Sequence, residues 1–162
     1  MKKPLIILTL LPFILSTNNI KQVDRPRVVA PVITLEPKPI EEINHSEILI
    51  DALIEVESLG NDSAIGDRHL VGNEAVGALQ IRPIMVREVN RILKIQKSEI
   101  RYKRKDRFSR EKSIEMFMIW KNYHHPEGGF EIIARNWNGG PRGYKNPRTE
   151  KYWAKVQLEL NK

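Results

Sequence analysis

Glu55 and Glu57 stand two residues apart near the end of a stretch with helical apolar spacing, and helix geometry separates their chemistry. Successive residues of an α-helix turn by roughly 100°, so the two carboxyls project about 200° apart. Glu57 stacks over Leu53 and Ile54, at i−4 and i−3, whereas Glu55 stacks over Asp51 and Ala52. Glu57 therefore leans toward the apolar side and Glu55 toward water. The last turn carries the negative end of the helix macrodipole, and partial burial adds a desolvation cost, so both effects raise the pKa of the carboxyl. A carboxylic acid kept protonated near neutral pH is a general acid, fitted to protonate a leaving oxygen. The plainer alternative is a helix-end carboxylate paired with one of many cations.

Other chemistry is thinly supplied. There is no cysteine, which removes disulfides, thiolate nucleophiles, Cys-based zinc sites and a lipid-accepting cysteine. His124 and His125 are adjacent, point apart on a helix and have no third ligand at a recognised spacing, so no metal and no cofactor are expected. The pair suits the end of a helix, where a cation meets the dipole.

The elements that must hold Glu57 are mostly helices. Ser46 is a good N-cap, and Ile48, Leu49, Ala52, Leu53 and Val56 follow at helical spacing until Gly60-Asn61-Asp62. The glycine-punctuated stretch from Gly60 to Gly77 is too irregular for a helix and predicts turns or a small hairpin. Pro83 suits the first turn of a second helix, with Met85, Val86, Val89, Ile92 and Leu93 on one face. Ser109 can cap a third, whose core side is Ile114, Phe117, Met118 and Tyr123. Pro126 opens a fourth carrying Phe130, Ile132, Ile133 and Trp137, and Tyr152 to Leu160 reads as a fifth. The fold class is mainly α, or α+β, with one loop or β-hairpin insert.

Ahead of these helices the chain has a different character. Lys2-Lys3, the apolar run Pro4 to Leu15 and the polar Ser16-Thr17-Asn18-Asn19 have the outline of a secretory signal. The run is short for a spanning helix. Residues 1–19 are accordingly read as a signal peptide or signal anchor, and residues 20–44, with Pro26, Pro31, Pro37 and Pro39, as an extended linker. Residues 45–162 form one domain, and 162 residues in all leave room for one hydrophobic core. Export to the periplasm or cell envelope is the expectation, with the N-terminal segment as a tether or the protein phage-associated.

The formal net charge of +7 is concentrated between Lys94 and Lys112, which holds nine basic residues against Glu99, Asp106 and Glu111. Such a run either grips an anionic cell-wall or membrane surface or is a solvated connecting face. For an exported chain, nucleic acid is the least expected partner.

Three motifs stand in order: Glu57-Ser58 with Asn61 and Ala64; Gly77-Ala78-Leu79-Gln80-Ile81 with Pro83; and Ala134-Arg135-Asn136-Trp137-Asn138-Gly139-Gly140-Pro141. Together, over roughly Ile48 to Val156, they resemble the soluble lytic transglycosylase and goose-type lysozyme family of the lysozyme-like superfamily. The resemblance implies a lysozyme-like domain that cleaves the β-1,4 bond between N-acetylmuramic acid and N-acetylglucosamine in peptidoglycan, acting as a monomer on glycan strands. Glu57 matches the catalytic acid. In the transglycosylase branch the same carboxylate then serves as base while the muramoyl 6-hydroxyl closes an anhydro ring, whereas the lysozyme branch delivers water. A non-catalytic glycan-binding or structural component of a secretion apparatus or virion is the alternative of another class.

The resemblance also marks the substrate side of the cleft. Gln80 matches a glutamine of the cleft floor, whose amide both donates and accepts, and Gly77 would let the backbone approach the glycan. Ser58, Trp137, Asn138 and Gly139 complete the implied substrate-binding set. Trp137 replaces the tyrosine of the usual Ala-Tyr-Asn-Ala-Gly motif, keeping a stacking face but losing a hydroxyl; core packing is its other reading. Between Ala64 and Gly77 the chain is longer and more charged than the family pattern, and Asp67 or Glu74 there offers a second carboxylate to position water. Arg142, Lys145 and Arg148 either hold stem-peptide carboxylates or are solvated loop charges.

Overall fold

The computed structural model describes residues 40–162, with side chains from residue 45. The expected signal segment, 1–19, and most of the linker lie outside the described residues. Five α-helices and one small hairpin make up the described chain: α1 Ile40–Ser58, β1 Ile65–Gly66, β2 Ala75–Val76, α2 Pro83–Ile95, α3 Arg110–His124, α4 Phe130–Gly139 and α5 Glu150–Leu160. This is the mainly helical class with a small β insert that the sequence predicts. No helix among the described residues is long and apolar enough to cross a membrane.

α1 supplies the centre of the core through Leu49, Ile50, Leu53 and Ile54, all buried. The helix begins at Ile40, inside the expected 20–44 linker, and Ser46 sits within it rather than capping it. A serine suited to capping is also tolerated within a helix, so its presence alone does not mark the start. At the other end Leu59 and Gly60 adopt left-handed φ values of 52° and 74°, and the Leu59 amide donates to the Glu55 carbonyl at 3.0 Å. Glu57 is thereby fixed in the final turn.

α2 buries Pro83, Val86, Val89, Ile92 and Leu93, the face read from the sequence. α3 is capped by Ser109, whose side chain accepts from the Lys112 amide, but its buried residues are Ser113, Met116, Phe117, Trp120 and Lys121. The expected Phe117 is in this set, Ile114 and Met118 are partly buried against the same core and Tyr123 is exposed, because Phe117 and Trp120 carry the largest apolar area and centre the covered face. Pro126 does not open α4: a turn runs through Pro126 and Glu127, and Gly129 is the residue before the helix.

β1 and β2 pair antiparallel with Ile65 opposite Val76 and Gly66 opposite Ala75. Val76 then bridges Ile81, so Gly77 to Gln80 form a tight turn. Ala78, Leu79 and Ile81 anchor that turn in the core. Across it lies the 3₁₀ turn Arg104–Phe108. A Cβ on Gly77 would stand 1.9 Å from the Arg107 carbonyl oxygen, and its φ is 79°. Gly77→Ala therefore combines left-handed strain with a backbone clash, and a loss of about 2 kcal/mol in stability is expected, measured as a shift of the urea midpoint at unchanged slope.

Arg107 reinforces the same junction. Its side chain is buried and donates to the carbonyls of Arg104 at 2.8 Å, Glu74 at 2.9 Å and Ile81 at 2.9 Å. Two further members of the basic run form ion pairs at the surface: Lys112 with Asp106 at 3.0 Å and Arg110 with Asp62 at 2.9 Å. His124 closes α3 as the sequence suggests, with its Nε2 2.8 Å from a Glu88 oxygen.

Candidate active site

Glu57 opens onto a cleft of about 510 Å³ whose walls include Gly66, Asp67, Gln80, Arg82, Trp137 and Asn138. Four pieces of chain meet there. The end of α1 brings the acid, the hairpin brings Asp67, the Gly77 to Gln80 turn with the start of α2 brings Gln80, Arg82 and Met85, and the end of α4 brings Trp137, Asn138 and Gly140. A volume of this size suits a ligand of a few rings, with a few polar groups on mixed walls.

Burial is the main influence on Glu57 and pushes its pKa up to about 7; a hydrogen bond from Tyr152 opposes the rise, Asp67 adds to it and Arg82 opposes it. The Tyr152 hydroxyl donates to Glu57 Oε1 at 2.8 Å. Burial and the neighbouring Glu57 charge hold the Tyr152 phenol well above its ordinary pKa, so it stays a donor throughout the neutral range. This contact joins α1 to α5 across 95 residues of sequence, and the packing of α5 on α1 sets it. Sequence spacing carries no sign of it, and Tyr152 is the partner of Glu57 that sequence reasoning missed. Glu55, by contrast, is outside the cleft, although partly covered rather than fully in water.

Gln80 is aimed by its backbone and by two carbonyls. Its φ is 45°, and Nε2 donates to the Gly77 oxygen at 3.0 Å and the Ala64 oxygen at 3.4 Å. Those acceptors settle which end of the amide is the nitrogen. Oε1 then lies beside Gly66, where a Cβ would come within 2.3 Å of it. The hairpin must have glycine at this position for the amide oxygen to hold its place.

Trp137 packs on the core and borders the cleft. Its ring meets Phe117 and Trp120 edge-on at centroid distances of 5.0 and 5.1 Å, and it also lines the cleft. Asn138 is exposed on the cleft wall, whereas its neighbour Asn136 is buried and accepts from the Tyr144 amide at 2.8 Å.

The remaining candidates are drawn elsewhere. Ser58 turns back on its own helix, its Oγ donating to the Ile54 carbonyl at 3.1 Å. Gly77 packs under Arg107 and not against the cleft space. Gly139 faces Thr149, whose Cγ2 a Cβ would meet at 2.6 Å, and Gly140 takes its place on the wall. Of the two candidate second carboxylates, Asp67 lines the cleft and is ion-paired with Arg82. Glu74 lines a separate depression with Arg68 and Arg107, accepts from the Gly72 amide at 2.9 Å and is held below its ordinary pKa chiefly by that bond. Arg142, Lys145 and Arg148 are exposed, with no ion pair among the described residues.

Comparison with known proteins finds no family model that matches the sequence and no significantly similar curated protein. A carboxyl with a pKa of about 7, hydrogen-bonded by a tyrosine hydroxyl, thus shares one cleft with Gln80, Asn138 and Trp137, and a carboxyl of that pKa can both give and take a proton near neutral pH. Tyr152→Phe removes a bond that favours the carboxylate, so the pKa of Glu57 is expected to rise further above about 7. An NMR titration of the Glu57 carboxyl carbon in both proteins measures the shift, and an unchanged or lowered midpoint would remove Tyr152 from the site.

Proposed function

We propose that this chain is a peptidoglycan lytic transglycosylase, an enzyme that breaks the bond between N-acetylmuramic acid and N-acetylglucosamine with Glu57 as general acid and then general base. The observation that carries the reading is the position of Glu57: a carboxyl with a pKa of about 7 on the wall of a cleft that also holds Gln80, Trp137 and Asn138. The resemblance of the three sequence motifs to the transglycosylase family supports the choice of substrate.

In this mechanism the protonated Glu57 gives its proton to the glycosidic oxygen, and the bond to the muramoyl C1 breaks as an oxocarbenium-like charge develops. The Glu57 carboxylate left behind takes the proton of the muramoyl 6-hydroxyl, whose oxygen attacks C1 and closes the anhydro ring. A pKa near 7 serves both halves, since a stronger acid returns protons poorly and a weaker one donates them poorly. The Tyr152 hydroxyl stabilises the carboxylate between the two steps. Gln80 Oε1 and the Asn138 amide are suited to an N-acetyl group, and the Trp137 ring to a sugar face.

Hydrolysis is the second reading, favoured by Asp67 on the same cleft. There a water held by Asp67 would replace the 6-hydroxyl. The Asp67–Arg82 ion pair supports the first reading, because it occupies the group that would orient that water. Clearing of a gel embedded with purified cell wall tests the enzymatic claim. The wild-type chain is expected to clear it, and wall binding with no clearing would leave a non-catalytic glycan-binding domain instead.

A further inference from the structure

At the end of α2 the chain doubles back into a closed protrusion that takes no part in the cleft. Lys97 adopts a left-handed φ of 56°, and the Ser98 amide donates back to the Leu93 carbonyl at 2.9 Å. Asn90 ties the returning limb to the helix: its Nδ2 donates to the Tyr102 carbonyl at 2.8 Å and its Oδ1 accepts from the Tyr102 amide at 2.9 Å. With Tyr102 buried, the base of the loop is fixed and its tip projects.

The tip has an unusual composition for a solvated turn. Ile95 is 54% exposed and Ile100 57% exposed. Around them Lys94, Lys97, Arg101, Lys103, Arg104 and Lys105 are all exposed, and Glu99 is the single acid from residue 94 to residue 105. Just beyond, Arg107, Arg110 and Lys112 bond to Glu74, Asp62 and Asp106, whereas Arg101 bonds to the Ser98 and Ile100 carbonyls within the loop and Arg104 reaches the Gly72 carbonyl at 3.4 Å. A soluble polyanion would use the cations and leave the two isoleucines without a purpose. A surface that is anionic and has an apolar layer beneath uses both, because lysine stems reach headgroups while branched side chains enter the boundary region.

We propose that the Lys94 to Lys105 loop docks on a bilayer containing anionic phospholipid, with Ile95 and Ile100 entering the headgroup boundary. The inference is independent of the chemistry at Glu57. It would hold the catalytic domain against a membrane whatever reaction the cleft performs.

The absence of cysteine makes a direct test practicable in the full chain. Ile100→Cys labelled with an environment-sensitive fluorophore reports on this loop alone, and Lys155→Cys on exposed α5 is the reference. On phosphatidylglycerol vesicles the label at 100 is expected to shift to the blue and to be quenched by nitroxide lipids, with neither response on phosphatidylcholine vesicles nor at 155. The combined changes Lys94→Gln, Lys97→Gln and Lys105→Gln should raise the lipid needed for half the signal about a hundredfold, at roughly fivefold per charge. Equal signals on both lipids, equal signals at both labels, or no signal on either lipid would overturn the proposal. So would capture by dextran sulfate without a vesicle signal, which would make the loop a polymer-binding face.

Discussion

The Glu57→Gln protein is expected to lose glycan cleavage by about a hundredfold to ten-thousandfold, the usual worth of a positioned general acid, while keeping its fold. The amide is close in shape to the carboxyl and its oxygen can still accept from the Tyr152 hydroxyl, so the contact between α1 and α5 survives. What disappears is a proton to give to the leaving oxygen and a base to take one back. Rates of release from purified wall, with circular dichroism to establish folding, make the comparison. A variant that retains most of its activity would remove Glu57 from the reaction. Glu55→Gln provides the control, since that carboxyl lies outside the cleft and its loss should leave the rate within about twofold, as a surface change does.

The same substitution should make the protein more stable, and by an amount that depends on pH. Burial holds the carboxyl of Glu57 at about 7 in the folded chain against a model value of 4.5. A raised acid binds its proton more tightly when folded, so wild-type stability is complete below the unfolded pKa and declines as pH rises from about 4.5 to about 7. Above that range the ionised carboxyl costs about 3 kcal/mol, at about 1.4 kcal/mol per pKa unit. Glutamine has no proton to lose and escapes the cost. The stability gap between Glu57→Gln and wild type is therefore expected to widen across this window by about 3 kcal/mol and then level off, as read from urea midpoints at a series of pH values. A gap that stays constant with pH would mean that Glu57 titrates as an ordinary carboxyl. A proposed catalytic carboxyl that is costly to the fold fits the usual trade between stability and function.

Much of this architecture was legible from local pattern. The apolar face of α2, the Ser109 cap of α3 and the irregular hairpin insert follow from spacing and capping chemistry, and so does the choice of Glu57 over Glu55, because phase along one helix is local information. The start of α1 was not legible, since Ser46 is a capping-type residue that lies inside a longer helix. Nor was the full face of α3, where Met116 and Trp120 are buried and the expected Ile114 and Met118 are partly covered beside them. In the site, residues on the cleft wall within a motif were found when the motif also had to face outward, as with Gln80 and Asn138. The close approaches of Arg107 to Gly77 and of Thr149 to Gly139 are properties of distant chain that no local pattern carries. Tyr152 was invisible on the same ground, since nothing local marks a hydroxyl whose partner is 95 residues away.

Mass spectrometry of the muropeptides released from purified peptidoglycan is the most direct test of the proposed chemistry. Release of fragments ending in 1,6-anhydro-N-acetylmuramic acid by the wild-type chain, and none by Glu57→Gln, is the predicted result. Fragments with ordinary reducing ends would contradict it and point to water held by Asp67, and no released fragments at all would contradict cleavage itself.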